Sequence, residues 1–202
     1  MSLTRLLIAT HNQGKLEEFR ALLAELPFEL CDLGAFPAIP PVAETGITFI
    51  DNASLKATGY ALQAQEITLA DDSGLEVEAL GGAPGVLSAR YAGRAASDAE
   101  RIEKLLREIL ERDAANRAAR FVSVVAVSDA SGSILNLSTG VCCGTIALTP
   151  RGQNGFGYDP IFVPEGFDKT FAELSSEVKN AISHRARAFQ GAADFLRSLT
   201  LR

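Results

Sequence analysis

Apolar residues recur along this chain in two rhythms, and the alternation of those rhythms predicts most of its elements. Arg5–Ala9 (RLLIA) is a short apolar run of buried-strand type, and Thr10–Gly14 after it reads as a turn. Lys15–Leu26 places Leu16, Phe19, Leu22, Leu23 and Leu26 at helical spacing until Pro27 stops the helix. Phe28–Leu33 predicts a weak strand, and a loop carrying Pro37, Pro40 and Pro41 leads to Glu44-Thr45-Gly46. Thr48–Gln65 returns to the helical period, with Phe49, Ala53, Ala57, Tyr60, Ala61 and Ala64 inward. Ser97 and Glu100 form an S-x-x-E capping box before a helix that buries Ile102, Leu105, Leu106, Ile109 and Leu110. Phe121–Val127 and Ile134–Leu148 are long β runs joined by a turn at Asp129–Gly132. An irregular segment, Thr149–Asp168, precedes a short helix near Ser175–Ala181 and a last helix over about His184–Leu199, with Ser183 as its N-cap. This order predicts an α/β fold: a mixed sheet with a long central β-hairpin and flanking helices, arranged as two lobes around a groove.

Composition narrows the function classes. A chain of 202 residues, 47% hydrophobic and 22% charged, is expected to form one soluble domain over residues 1–202 with a sizeable core. A formal charge of −6 argues against a polynucleotide partner, because a phosphate backbone needs a basic surface. It leaves room for one small anionic ligand met by a local cluster of Lys and Arg. No run reaches membrane-span length, and the N-terminus lacks a signal peptide's regions, so neither a membrane nor export is expected. Three cysteines without a C-x-x-C fit reduced thiols in a cytoplasm.

The stretch Leu69–Tyr91 carries the densest chemistry. An apolar run meets Asp71-Asp72-Ser73-Gly74, which predicts a strand ending in acids at a sheet's edge, where ligands reach them. Side chains alternate in extended backbone, so Asp71 and Asp72 face opposite ways; one is expected to act and the other to support. A hairpin turn with solvated acids is the plainer alternative, weakened by the alternation of Leu75 and Val77 with Glu76 and Glu78 and by the rigid Gly81–Gly85 bend. Hard oxygen ligands with no nearby His or Cys would suit Mg²⁺ better than zinc.

Three other segments hold polar groups in turns. Thr10–Lys15 sets backbone N–H groups and a lysine at a helix N-terminus, which favours phosphate, although it is not a Walker loop. Taken alone, the segment is better explained by Asn12 as a cap and Lys15 as a solvated first-turn residue. Glu44 stands before a helix on which Asn52 and Lys56 share a face. Phe156-Gly157-Tyr158-Asp159, with Lys179 and Ser183-His184-Arg185, pairs an aromatic in a glycine-rich loop with donors, a combination suited to a flat heterocycle. For His184 a structural place at a helix start is the equal alternative.

Taken together, these segments resemble the inosine/xanthosine triphosphate pyrophosphatase family, which removes abnormal purine nucleotides. The resemblance spans Ile8–Phe189 and rests on A-T-x-N-x-x-K (Ala9–Lys15), E-T-G-x-T-F-x-x-N-A (Glu44–Ala53), A-D-D-S-G-L (Ala70–Leu75), G-G-A-P-G-x-x-S-A-R-Y (Gly81–Tyr91), G-F-G-Y-D-P-x-F (Gly155–Phe162) and E-x-K-N-A-I-S-H-R (Glu177–Arg185). Position 51 is Asp where the family often has Glu, and Ala43 replaces an acid that often precedes Glu44.

The resemblance implies hydrolysis between the α- and β-phosphates of ITP, dITP and XTP, giving the monophosphate and pyrophosphate, in the groove between the lobes. It implies that Thr10, His11, Asn12, Gln13, Gly14, Lys15 and Lys56 hold the polyphosphate and that Glu44 and Asp72 bind Mg²⁺. Asp72 matches the family's general base, and Ser73 contacts substrate. Phe156, Gly157, Tyr158 and Asp159 meet the purine, while Lys179, His184 and Arg185 offer donors to its 6-oxo oxygen. A homodimer is the family's usual assembly. The rivals are a Maf-like pyrophosphatase for modified nucleotides, which the F-G-Y-D and S-H-R segments oppose, and a nucleotide sensor without turnover.

Overall fold

A computed structural model describes residues 4–113 and 115–200, the side chain of residue 200 excepted. The elements run β1 (Thr4–Ile8), α1 (Gln13–Leu23), β2 (Phe28–Asp32), α2 (Phe49–Ala64), β3 (Ile67–Val77), α3 (Asp98–Asp113), β4 (Ala118–Ser128), β5 (Ile134–Ile146), β6 (Phe162–Pro164), α4 (Ser176–Ile182) and α5 (His184–Thr200). Short 3-10 turns fill several connections, among them Gly85–Arg90 and Asp159–Ile161. The six strands form one sheet in the order β2-β1-β3-β4-β5-β6. It is mixed as expected: β1 pairs in parallel with β2 and β3, and β5 pairs antiparallel with β6. The turn joining β4 to β5 is closed by Asp129, whose Oδ1 accepts from Ser131 N (2.9 Å) and Ser133 N (3.0 Å).

The chain packs as two compact units, and each has its own core. One comprises Met1–Asp72, Ser123–Gly140 and Arg185–Arg202; the other comprises Ser73–Val122 and Val141–His184. In the first, Leu6 and Ile8 of β1, Phe19 and Leu23 of α1, Leu69 of β3 and Val125 and Val127 of β4 pack with Ala188, Ala192 and Leu196 of α5. In the second, Leu75, Leu105, Ile109, Ile161, Phe162 and Phe171 are fully buried together. Each such side chain contributes about 1.5–3 kcal/mol relative to exposure.

Helix starts follow local chemistry. Asn12 caps α1 by accepting from Lys15 N, and Thr48 with Asp51 forms a reciprocal capping box on α2. Ser97 Oγ and Glu100 do the same before α3.

Leu110 of α3, expected to be buried, is instead 70% exposed, and the expectation for the central acids fails as well. The strand does not end before the acids: β3 runs through Asp71-Asp72-Ser73-Gly74 to Val77, and it lies third of six strands rather than at an edge. Locally D-D-S-G reads as a turn because buried carboxylates are costly. Here cations and an amide from distant segments pair with them, and the extended backbone persists.

Candidate active site

Asp71 and Asp72 are 2% and 6% exposed, and the strand's alternation gives them different partners. Asp71 Oδ2 accepts from Lys15 Nζ at 3.0 Å and lies 3.6 Å from Arg185 Nε. Arg185 is itself buried and paired with Glu18. Burial alone would raise the Asp71 pKa, but the charges of Lys15, Arg185 and Lys56 outweigh it and hold the carboxyl well below its usual range. Burial pushes the Lys15 amine down despite Asp71 beside it.

Asp72 faces α2. Its Oδ2 accepts from Asn52 Nδ2 at 3.1 Å, and its Oδ1 lies 3.4 Å from Lys56 Nζ. The same ammonium donates to Glu44 Oε1 at 3.2 Å. One cation therefore gathers two carboxylates from segments far apart in sequence. Asn52 is fully buried and locks this arrangement, because its Oδ1 also accepts from Gly46 N (2.8 Å) in the loop that carries Glu44. A Cβ on Gly46 would lie 2.4 Å from Asp51 Cβ, so only glycine lets that loop close on the helix. Burial raises the Asp72 pKa, with Lys56 opposing it. For Lys56, burial works downward, but Asp72, Asp71 and Glu44 prevail and raise it.

The second unit holds the aromatic loop. Asp159, 3% exposed, accepts at Oδ2 from Phe156 N (2.9 Å) and from Lys179 Nζ (2.5 Å). The Lys179 ammonium also stands 4.9 Å from the centre of the half-buried Phe156 ring. Gly157 N donates to Asp98 Oδ2 at 2.7 Å, and Tyr158 Oη donates to Ser88 O at 3.0 Å. His184 is buried at the start of α5, stacked on Phe121 with centroids 4.6 Å apart and planes at 11°. Ser73 lies in mid-strand, half-buried.

The sequence-predicted residues thus fall into compact sets. Lys15, Asp71 and Arg185 form one, and Glu44, Lys56 and Asp72 form another, both in the first unit. Phe156, Asp159 and Lys179 form a third in the second unit. Thr10, Asn12, Gln13 and Gly14 belong to the turn and first turn of α1; Thr10 Oγ1 accepts from Asn12 N at 3.2 Å. Asp98 and Tyr60 escaped the sequence reading. Asp98 carries no signal beyond its place in a capping segment. Tyr60 reads as one more apolar position of α2, yet its hydroxyl meets Val42 N (3.2 Å) and His11 Nε2 (3.1 Å).

These carboxylates suit a hard divalent cation. Among the described residues no group of three or more His, Cys, Asp or Glu converges in the manner of an all-protein metal cage. A cation such as Mg²⁺ needs less: it takes one or two carboxylates and completes its shell with water and substrate phosphates. Glu44 and Asp72, held to one ammonium, supply such a pair.

The sequence profile of the Ham1 family matches residues 6–195. The chain belongs to the Ham1 family. A dITP/XTP pyrophosphatase from Streptomyces avermitilis is 46% identical over 199 residues, covering 98% of this chain and 99% of that protein. One from Geobacillus kaustophilus is 50% identical over 183 residues, covering 91% and 89%. Among solved structures, a HAM1 protein from Coxiella burnetii superposes with a TM-score of 0.88 at 42% identity, covering 99% of this chain and 100% of that one. This Ham1 chain also resembles the nucleoside-triphosphatase / dITP/XTP pyrophosphatase of Mycobacterium abscessus, with a TM-score of 0.75, 43% identity and coverage of 94% and 98%. Among the described residues of the Ham1 chain, no helix is long and apolar enough to cross a membrane.

Proposed function

We propose that this chain hydrolyses the abnormal purine nucleoside triphosphates ITP, dITP and XTP to the monophosphate and pyrophosphate. Its relatives' activity supports the reading. The observation that carries it is the convergence of Glu44 and Asp72 on Lys56 Nζ, at 3.2 and 3.4 Å.

In this reading Thr10–Lys15 takes the polyphosphate: backbone N–H groups at the start of α1 and the Lys15 ammonium answer its charge. Lys56 holds Glu44 and Asp72 in register and lends a second cation. Glu44 and Asp72 would hold Mg²⁺, which would supply positive charge against the phosphate oxygens and make a nearby water more acidic. Asp72 already accepts from Asn52 and Lys56, and its remaining lone pairs orient the water that attacks the α-phosphate. Ser73 contacts the substrate beside it.

Phe156 stacks on the purine, with Gly157, Tyr158 and Asp159 shaping the loop beneath it. Lys179, His184 and Arg185 donate toward the 6-oxo oxygen. Adenine presents an amino donor there, so donors would face donors, a mismatch worth discrimination of about 10⁴. The reading includes the family's homodimer and a cytoplasmic setting, which the free thiols of Cys31, Cys142 and Cys143 suit.

The test is a nucleotide panel with Mg²⁺, measuring pyrophosphate and orthophosphate separately. Pyrophosphate release with preference for ITP, dITP and XTP over ATP is expected. Turnover restricted to modified pyrimidines would indicate a Maf-like activity instead, and tight binding without product would indicate a sensor.

A further inference from the structure

Tyr60 lies on α2, 3% exposed, between the fully buried Ala57 and Ala61. Its hydroxyl has two hydrogen-bond partners among the described residues. Val42 N donates to it at 3.2 Å, and His11 Nε2 lies 3.1 Å away. A phenol oxygen has one proton to give. Val42 N–H can only donate, so it occupies the oxygen as acceptor and leaves the phenolic proton to seek another atom.

His11 Nε2 is that atom. Were Nε2 protonated instead, two donors would point at the hydroxyl oxygen and its own proton would be buried without an acceptor, an arrangement proteins avoid. The approach of Val42 is built in: a Cβ on neighbouring Gly59 would lie 2.8 Å from Val42 Cγ2. The two rings meet edge-on, with centroids 6.2 Å apart and planes at 69°, which fixes the imidazole's orientation.

We propose that Tyr60 is a positioning residue whose hydroxyl holds His11 in the Nδ1–H tautomer, so that this exposed ring offers its Nδ1–H to a polyphosphate oxygen. The proposal rests on the reading of Thr10–Lys15 as the polyphosphate loop. Free imidazole in water favours neither tautomer strongly enough to be relied on, so a pre-set ring spares the substrate that selection.

Two measurements test it. The chain has two histidines, His11 and His184. Long-range ¹H–¹⁵N correlation on ¹⁵N-histidine-labelled protein without nucleotide, at about pH 8.5 and so above the ordinary imidazole range, distinguishes the tautomers; His11→Gln assigns the signals. Wild type should show a pyrrole-type Nδ1 and a pyridine-type Nε2 on His11, and Tyr60→Phe should lose that bias. An Nε2–H tautomer in wild type, or one unmoved in Tyr60→Phe, overturns the proposal.

In kinetics, Tyr60→Phe should raise KM for ITP roughly tenfold with kcat little changed. In a His11→Gln background the same change should raise it less than about twofold, since a residue acting through another has nothing left to act on. A full tenfold rise in both backgrounds also overturns it. If wild type hydrolyses no purine triphosphate, the functional reading fails by itself, and the tautomer measurement still decides the Tyr60–His11 relationship.

Discussion

Asp98 Oδ2 accepts a hydrogen bond from Gly157 N at 2.7 Å, although 59 residues separate them. The first residue of α3 thereby pins the backbone of the loop that carries Phe156. The Asp98 side chain is 43% exposed, so solvent screens part of the interaction and about 1 kcal/mol is a reasonable share. Asp98→Ala should therefore raise KM for ITP roughly fivefold while leaving kcat nearly unchanged. Steady-state kinetics across the nucleotide panel check it; equal losses in kcat and kcat/KM would place the effect in chemistry instead.

Lys56 answers two carboxylates at once. Removing its charge leaves Asp72 buried without its cation, and breaking a buried pair this way costs about 3–5 kcal/mol. Glu44, partly exposed, recovers water and adds little. Lys56→Met is expected to lower stability by about 3 kcal/mol in urea unfolding and to remove most activity. A variant as stable as wild type would mean the ammonium is not the cluster's counter-charge.

Metal dependence should follow the same cluster. EDTA is expected to abolish turnover and Mg²⁺ to restore it. Glu44→Gln keeps the side chain's size but halves the carboxylate charge offered to the cation, so half-maximal Mg²⁺ should rise about tenfold. An unchanged Mg²⁺ requirement in that variant would remove Glu44 from the ligand set.

Alkaline behaviour should single out Tyr158. Burial raises the pKa of this phenol, and its hydroxyl donates to Ser88 O at 3.0 Å. A group whose folded pKa is raised contributes stability that is complete below its unfolded pKa of about 10 and is lost as pH climbs toward the folded one. Tyr158→Phe should cost about 1 kcal/mol at neutral pH, with the gap to wild type closing above about pH 10. Chemical denaturation at several pH values measures it, and a gap that does not narrow would contradict the assignment.

What the sequence made legible were features written in adjacent residues. The helical spacing of Leu16, Phe19 and Leu23, the Ser97–Glu100 box and the β4–β5 turn at Asp129 all appear in the fold. The length of β3 was hidden, because Asp71 and Asp72 tolerate mid-strand positions through Lys15, Arg185, Asn52 and Lys56, none of them near in sequence. Arg185 shows the same limit. Its place in the S-H-R segment was readable; its pairing with Glu18, 167 residues away, was not. Tyr60 was hidden differently: its ring fits the apolar face of α2, and only the hydroxyl's neighbours set it apart.

Gly155 draws a boundary around how this gene can drift. Its φ is +74°, which disfavours side chains generally, and a Cβ there would sit 2.0 Å from Asp159 Oδ2. Even asparagine, which tolerates that backbone, would evict the carboxylate that steadies Lys179. Every single-nucleotide missense change at codon 155 therefore strikes two residues at once, and selection for an intact Asp159–Lys179 pair should leave that codon synonymous-only.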